Sequence, residues 1–593
     1  MQRYLGIVFG AAIAFLSLAP QQVKAQQAAV LNAPSSEKIA VTSGGVDIRT
    51  GRYAYEKTDV SIGGGGATVS VERTMPTPVL GHVAPMGNFS HNWDIFLSIK
   101  SSLAEQYNAF DYLANVSFGG RSQTFEKLYL QDSSFRQKSQ NDFTRLVETP
   151  AGGGNSTFTY TATDGTVAVF LPIFVPNSPG GYSNAQVSYV IEPDGTRYDF
   201  EYDSSGLRSV TSSRGYAALF EYAGGSQVTK TCLINLGTTA KPANNICPAS
   251  PPQAATYGYS GSFMTSATGP DNQIDVFAYT NVQPGVSFQM AFTKPGQSTP
   301  WLTNNNIYDF TTDGLTYPIV TAQNFADGSS FSYFYDYTPQ TDNGSGGFAG
   351  YQSVAGGAYI NALNQTTEVR YDFPATPNSF KPPRVVIGAN GEPSFPPVNL
   401  GDIVYQVTPG PARIVDALGR TTTQDYCDAN AMANLPSNEF NRCLVRDLQF
   451  SIDPEGNKVQ LKYGVNNNVT EIRRIAKAGS GLADTVETAT YDTTACINYQ
   501  LKICGKPLTV TDAKGIVTDY TWSATHGGML TETRAAPSAG ADRPQKRYTY
   551  TQLYAWYRNS AGTVIQSPYP VWLLTQISEC KSGVAPAWRG HCE

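Results

Sequence analysis

Charge is scarce in this chain. Only 15% of its 593 residues are Asp, Glu, Lys or Arg. That poverty argues against coiled coils and long solvated helices, whose faces carry many ionic side chains. The formal net charge is −6. A mildly acidic chain with no basic stripe offers no footprint for nucleic acid and none for an anionic membrane surface. Histidine is scarcer still: His82, His91, His526 and His591 are the full set, and no two stand at metal-ligand spacing. No Cys-x-x-Cys occurs, so the spacing of a zinc site is missing. The run Gly63 to Gly66 is not followed by Gly-Lys-Ser/Thr and opens no helix, which makes it a hairpin loop rather than a phosphate cradle. After Leu18 no stretch is long and apolar enough to cross a bilayer as a helix.

What the chain has in abundance is Tyr (35), Gly (55) and aromatic residues generally (12%). Aromatic and β-branched side chains fit a pleated sheet, and the sequence reads as all-β. One stretch sets the pattern. Asp453-Pro454-Glu455-Gly456 has the chemistry of a type I turn ending in a left-handed residue. Asp bonds the backbone ahead of it, Pro pre-sets φ, and Gly accepts positive φ. Val459, Leu461 and Tyr463 then fall on one face of a strand. The same frame recurs at Glu192–Gly195 with Tyr202, Gly269–Asn272 with Tyr279, and Ala326–Gly328 with Tyr335. It returns at Asn361–Asn364 with Tyr371, Asp416–Gly419 with Tyr426, and Asp512–Gly515 with Trp522. Each aromatic lies seven residues past the last turn residue. Such hairpins cannot bury an aromatic face alone, so they are expected to stack side by side as degenerate repeats.

These residues resemble a known family. Tyr202-Asp203-Ser204-Ser205-Gly206-Leu207-Arg208 is similar to the tyrosine-aspartate (YD) repeat of RHS proteins. Asp416-Ala417-Leu418-Gly419-Arg420-Thr421 resembles the run that joins such repeats, and Tyr463 to Ile472 resembles another copy. Thr50-Gly51-Arg52 through Val60, and Gly87 through Asp94, resemble the lead-in of secreted RHS proteins. The resemblance implies a long β-strip spiralling into a full or partial shell, often around a C-terminal toxin. The core-closing Pro-x-x-x-x-Asp-Pro-x-Gly segment and a separate effector region are both missing from the pattern.

Read in order, residues 1–25 form a secretory signal, with Arg3, an apolar run from Leu5 to Leu18, and a small-x-small exit at Val23-Lys24-Ala25. Its removal leaves 39 basic against 47 acidic residues, a charge of −8. Residues 26–45 form a flexible lead, 46–178 an N-terminal β-rich domain, and 179–593 the hairpin repeats. Loop insertions fall at 232–255, 340–357 and 374–400. The eight cysteines of an exported chain are expected to pair as local staples: Cys232 with Cys247, Cys427 with Cys443, Cys496 with Cys504, and Cys580 with Cys592.

Chemistry is harder to find. His91, beside Trp93 and Asp94, has the one suggestive setting, and a structural hydrogen bond on a strand is favoured there over a general base. Gly258-Tyr259-Ser260-Gly261 lacks the final Gly of a nucleophile elbow. Asp416, Asp453 and Asp512 suit paired-carboxylate glycoside chemistry less well than their turns. Tyr554, Trp556, Tyr557, Tyr569 and Trp572 cluster outside the repeat frame, either to cover a strand edge or to dock a partner. No catalytic, cofactor-binding or metal-ligating residue is assigned, and the chain is not read as an enzyme. It is read as an exported scaffold, secreted, periplasmic or at the cell surface, that encloses or presents a separately encoded partner or effector, as in toxin delivery. The alternatives are a module binding surface glycan or protein through rim loops and C-terminal aromatics, and a hydrolase on a propeller-like fold.

Overall fold

The computed structural model describes residues 41–75, 82–104, 109–118, 121–127, 134–137, 144–175, 181–283, 287–310, 316–337, 341–342, 348–349, 354–373, 386–387, 393–394, 406–407, 412–425, 448–464, 468–498 and 500–580. The fold is all-β: consecutive antiparallel strands pair with their sequence neighbours along one continuous sheet. Two short helices, Thr493–Ile497 and Leu501–Cys504, interrupt it between strands Thr485–Tyr491 and Pro507–Thr511. The insertion around Cys496 and Cys504 is therefore helical rather than a plain loop. Among the described residues no helix is long and apolar enough to cross a membrane.

All seven turns of the repeat frame form, and they form alike. In the type example the Asp453 N–H donates to the Asn457 carbonyl (3.0 Å) and the Gly456 N–H to the Asp453 carbonyl (2.9 Å). The same two bonds close the turns at Glu192, Gly269, Phe325, Asn361, Asp416 and Asp512. The last turn residue has φ between 57° and 90° in every one, with Asn272 and Asn364 in the glycine slot. Three further turns, at Thr42, Ala162 and Asn559, share both bonds. The acidic side chain has two ways of holding the corner. At the first position Asp416 and Asp512 accept the N–H groups two and four residues on (2.8–2.9 Å). At the third, Asp164, Asp194 and Asp327 accept the N–H two residues on (2.8–2.9 Å).

The aromatic at the far end of each strand has two jobs. Alternation buries one face as the frame predicts: Tyr198 and Phe200, Phe277, Tyr333, Tyr371, Leu461 and Tyr520 all lie in the core. Tyr426 lies outside the described residues. Eight strands also slip register at an aromatic, three of them at the frame aromatic itself. A bulge directly precedes Tyr202, Tyr222, Tyr259, Tyr337, Tyr463, Tyr491, Trp522 and Tyr550. A bulge adds twist and re-aims the side chain that follows it. Three of these aromatics, and Tyr335 ahead of the bulge in a fourth strand, carry one recurrent bond to the carbonyl fifteen residues upstream: Tyr222 to Leu207 (2.9 Å), Tyr463 to Leu448 (2.9 Å), the Trp522 indole N–H to Pro507 (2.8 Å) and Tyr335 to Val320 (2.7 Å).

The sheet is rooted in a barrel. Strands Phe96–Ala104, Ala109–Phe118, Arg121–Lys127, Ser134–Gln137, Arg145–Gly152, Asn155–Thr161, Val167–Phe174 and Tyr182–Ile191 pair in order, and Tyr182–Gln186 pairs back onto Phe96–Lys100. Side chains fill it, Tyr112, Phe125, Phe158 and Phe170 among them. The remaining residues of the last barrel strand, Tyr189–Ile191, pair with Arg197–Asp199, and from there the repeats run on.

Ahead of the barrel, residues 42–75 and 82–95 run along the inner face of the strip. The Val320 N–H donates to the Gly51 carbonyl (2.7 Å) and the Val228 N–H to the Pro85 carbonyl (2.8 Å). Val46 and Ile48 pack with Val320, Tyr333, Val369 and Tyr371. Tyr53, Tyr55 and Phe89 stack among Phe277 and Phe292. Under these rings lies Arg73, fully buried, paired with Asp59 (2.9 Å) and Asp275 (3.0 Å).

The far end of the strip returns to its beginning. The Trp572 N–H donates to the Asp194 carbonyl (2.8 Å), and the Arg558 N–H to the Leu236 carbonyl (2.8 Å). Tyr557 enters the cluster of Ala217, Leu219, Cys232, Ile234, Leu236 and Cys247. The Arg197 guanidinium stacks on Tyr569 (4.5 Å). The sheet therefore wraps round until its last hairpins lean on the turns of its first.

Two glycine substitutions separate turn strain from this seam. Gly456 has φ 78° and open space where a Cβ would point, whereas a Cβ on Gly195 (φ 90°) would sit 2.8 Å from the Pro570 carbonyl oxygen. Gly456→Ala is expected to cost about 1 kcal/mol, the left-handed penalty alone. Gly195→Ala should cost about 2 kcal/mol, because a backbone atom of the seam must also shift. Chemical denaturation of both variants checks the difference.

Candidate functional site

A concavity lies where the lead-in meets the barrel and the first repeats. It is a cleft of about 500 Å³, lined among others by His82, Trp93, Asp94, Gln186, Tyr202 and Tyr222. Strand Ser90–His91 and the turn after it supply one wall. The hairpin between Arg197–Asp203 and Gly206–Ser212 supplies the other.

Asp94 is the hub. One of its oxygens, Oδ2, meets His82 Nε2 (2.9 Å) and accepts the Ser90 hydroxyl (2.5 Å). The His82 ring stacks flat on Phe96, centroids 3.6 Å apart. A serine, a histidine and an aspartate are thus together, but in the wrong order for acyl transfer. The hydroxyl bonds the carboxylate, so the imidazole is not placed to take its proton. Burial, with Asp94 next in effect, raises the Tyr202 phenol above its ordinary range, so it stays protonated as a donor. No Lys or Arg is among the described residues lining the cleft, so an anionic ligand would find no counter-charge.

His91, the histidine marked by sequence, stands apart from this hub. Its ring is in the core, stacked on Phe220 (4.9 Å). Burial lowers its pKa to about 4, against the smaller opposing pull of Asp94. A base needs a pKa near working pH and access to a proton, and His91 has neither. The partner of Asp94 is His82, twelve residues upstream, and no local pattern marked it.

The sign of the pH effect at His91 follows from the lowered value. Its contribution to stability is complete above the unfolded pKa near 6.5 and is lost as pH falls from there towards about 4. We expect wild type to lose about 3 kcal/mol by pH 4 from this group. His91→Phe, which keeps the stack and cannot titrate, should flatten this part of the stability–pH curve measured by urea unfolding.

The other candidates resolve into architecture. In Asp416 and Asp453 the carboxylates are held in their own turns. For Asp416, partial desolvation raises the pKa, and bonds from the Arg420 backbone and side chain outweigh it, so the net shift is down. For Asp453 the Asn457 side-chain bond lowers it. Asp512 accepts two N–H groups of its own turn. The Gly258–Gly261 run ends strand Gln253–Ser260, with a bulge before Tyr259. Gly65–Ala67 is a single 3-10 turn linking strands Glu56–Ile62 and Val69–Thr74. Among the described residues no group of three His, Cys, Asp or Glu could hold a metal ion.

Cys232 and Cys247 form a disulfide. Cys504 and Cys580 are also disulfide-bonded. Cys427, Cys443 and Cys592 lie outside the described residues, as does His591. Of the C-terminal aromatics, Tyr557 and Tyr569 belong to the seam and Trp572 stacks on His526 (4.9 Å). Tyr554 and Trp556 face solvent, at 41% and 61% exposure.

No protein-family model matches the chain, and no curated protein matches it. Among solved structures, similarity extends to the TcdB2-TccC3-Cdc42 complex at 11% identity, over 82% of this chain and 27% of that one, with a TM-score of 0.23. TcdB2-TccC3 without its hypervariable C-terminal region is similar at 11% identity over 88% of this chain and 27% of that one, again with a TM-score of 0.23. A porin-like protein from Bacteroides uniformis is 8% identical over 47% of this chain and 98% of its own, TM-score 0.17. The chain spans about a quarter of the length of the TcdB2-TccC3 chains. The fold described above rests on the strand pairings of this chain alone.

Proposed function

We propose that the protein is an exported, non-catalytic scaffold that encloses or presents a separately encoded partner, in cell-surface interaction or toxin delivery. The observation that carries the reading is the wrap: last hairpins hydrogen-bond to first ones, so the sheet has an inside and an outside. Its own residues 42–75 and 82–95 pack on the inner face from about Tyr198 to Tyr371, which leaves the later repeats of that face for a partner. The polar groups nearest to a catalytic arrangement are spent on turns, on the Asp94 hub and in the core, which supports the non-catalytic reading. Co-expression with the neighbouring coding sequences, followed by purification and electron microscopy, tests it. A co-purifying protein with density against the inner face is expected. A solid interior with no bound protein would remove the proposal.

A second reading, a module that docks on surface glycan or protein, is favoured by the exposure of Tyr554 and Trp556 beside the seam. There Trp556→Ala should abolish binding to cells or to a glycan array without changing stability. An unchanged binding profile sinks it.

A further inference from the structure

We propose that the seam between the first and last repeats is an acid-opened latch, with His526 as its key. The inference rests on the wrapped fold and is independent of what the scaffold carries.

His526 lies at the centre of the returning hairpins. Its ring stacks on Tyr550 (4.4 Å) and Trp572 (4.9 Å). Its Nδ1 accepts the Gly528 N–H (3.1 Å), so the proton of the neutral ring is on Nε2. A second proton can enter only at Nδ1, where it would face that N–H donor head-on. Protonation therefore breaks the bond and displaces the loop from Ser523 to Gly528.

That loop holds the seam together. Its Thr525 carbonyl accepts Lys502 Nζ (2.7 Å), and its Gly527 carbonyl accepts Lys506 Nζ. Lys502 packs against the turn of an early barrel hairpin, so closely that a Cβ on Gly165 would lie 3.0 Å from its backbone nitrogen. Trp572, stacked on the ring, supplies the N–H that bonds Asp194. Displacing one loop thus disturbs the contacts at both Gly165 and Asp194.

Charge acts in the same direction. Lys502 and Lys506 face the ring from the helical side. Asp194, itself paired with Arg214, and Asp164 face the cluster from the early hairpins. Burial and then the two lysines lower the His526 pKa, with Asp194 opposing. A lowered histidine contributes stability that is complete above 6.5 and lost as pH falls below it. Glu192, in the same turn as Asp194, titrates with the other sign. Burial first, and then the Asp194 charge, raises it to about 7, so it loosens the turn as pH rises through that value. The His526 effect is therefore read as the difference between wild type and a non-titrating variant.

The test is hydrogen exchange by mass spectrometry on the full chain at pH 7.5 and 5.5, corrected for intrinsic rates, with wild type beside His526→Asn. Asn keeps a carbonyl acceptor near Nδ1 and cannot titrate. Opening of peptides containing Arg558 and Trp572 should quicken severalfold more in wild type than in the variant, because only wild type loses the Nδ1 acceptor on acidification. Peptides from strand Lys458–Tyr463 should not respond. Equal acid response in both proteins, or none in wild type, overturns the latch. If His526→Asn does not fold, an imidazole NMR titration of wild type decides: the His526 midpoint must coincide with the exchange midpoint, and a mismatch overturns the proposal.

Discussion

Arg73→Met is expected to destabilise the protein by about 3–5 kcal/mol, the range for removing one partner of a buried ion pair. Arg73 is fully buried between Asp59 and Asp275, and its guanidinium lies 5.0–5.5 Å from the ring centroids of Phe277, Phe89 and Tyr55. Methionine matches much of that volume but leaves two carboxylates facing each other. Asp275 retains Lys57. Among the described residues Asp59 retains the Tyr257 hydroxyl (2.9 Å). Even with Arg73 present, desolvation outweighs the ion pair and raises the Asp59 pKa. The charge on Asp59 is thus already held at a cost, and Asp59→Asn should be far milder, about 1 kcal/mol. Urea unfolding of the two variants tests this asymmetry. Equal losses would mean that the site is a matched pair and not a cation needed by its surroundings.

The second large effect is expected at the disulfide. Cys232→Ala with Cys247→Ala should lose about 3 kcal/mol, since the bridge closes a loop of 15 residues. The loss should exceed that of an exposed staple, because both sulfurs belong to the buried cluster that receives Tyr557. Loosening that cluster also weakens the landing site of the last hairpins. Exchange of the Arg558 amide should therefore quicken in the double variant, and an unchanged rate would separate the disulfide from the seam. The bridge differs in placement from the sequence reading. Cys232 lies inside strand Val228–Asn235, so the insertion begins only after Asn235.

What the sequence made legible was whatever is decided within about ten residues. The turn at Asp453 follows from Asp, Pro and Gly chemistry, and the inward faces of Tyr198, Leu461 and Tyr520 follow from alternation. The turns at Thr42 and Ala162 fall outside the repeat frame because no aromatic stands seven residues beyond them. The turn at Asn559 does have Tyr569 at that offset, but its strands are short and the ring lands on Arg197 instead. Bulges were invisible, since a bulge depends on the partner strand as well as on its own residues. The barrel closure, the Arg73 cluster, the His82–Asp94 contact and the seam join segments by partners that local chemistry does not specify. Tyr557, Tyr569 and Trp572 were recognised as exceptional, and only their partners were out of reach.

A stacked series of hairpins can ordinarily grow or shrink by one unit, because each contacts little beyond its neighbours. Here the bonds from Trp572 to Asp194 and from Arg558 to Leu236 remove that freedom. Deleting a single hairpin between them would rotate the terminal ribbon away from its landing place by one strand pair. The count of units in that interval is consequently fixed by closure, and length variation is confined to the tips of loops that project from the ring.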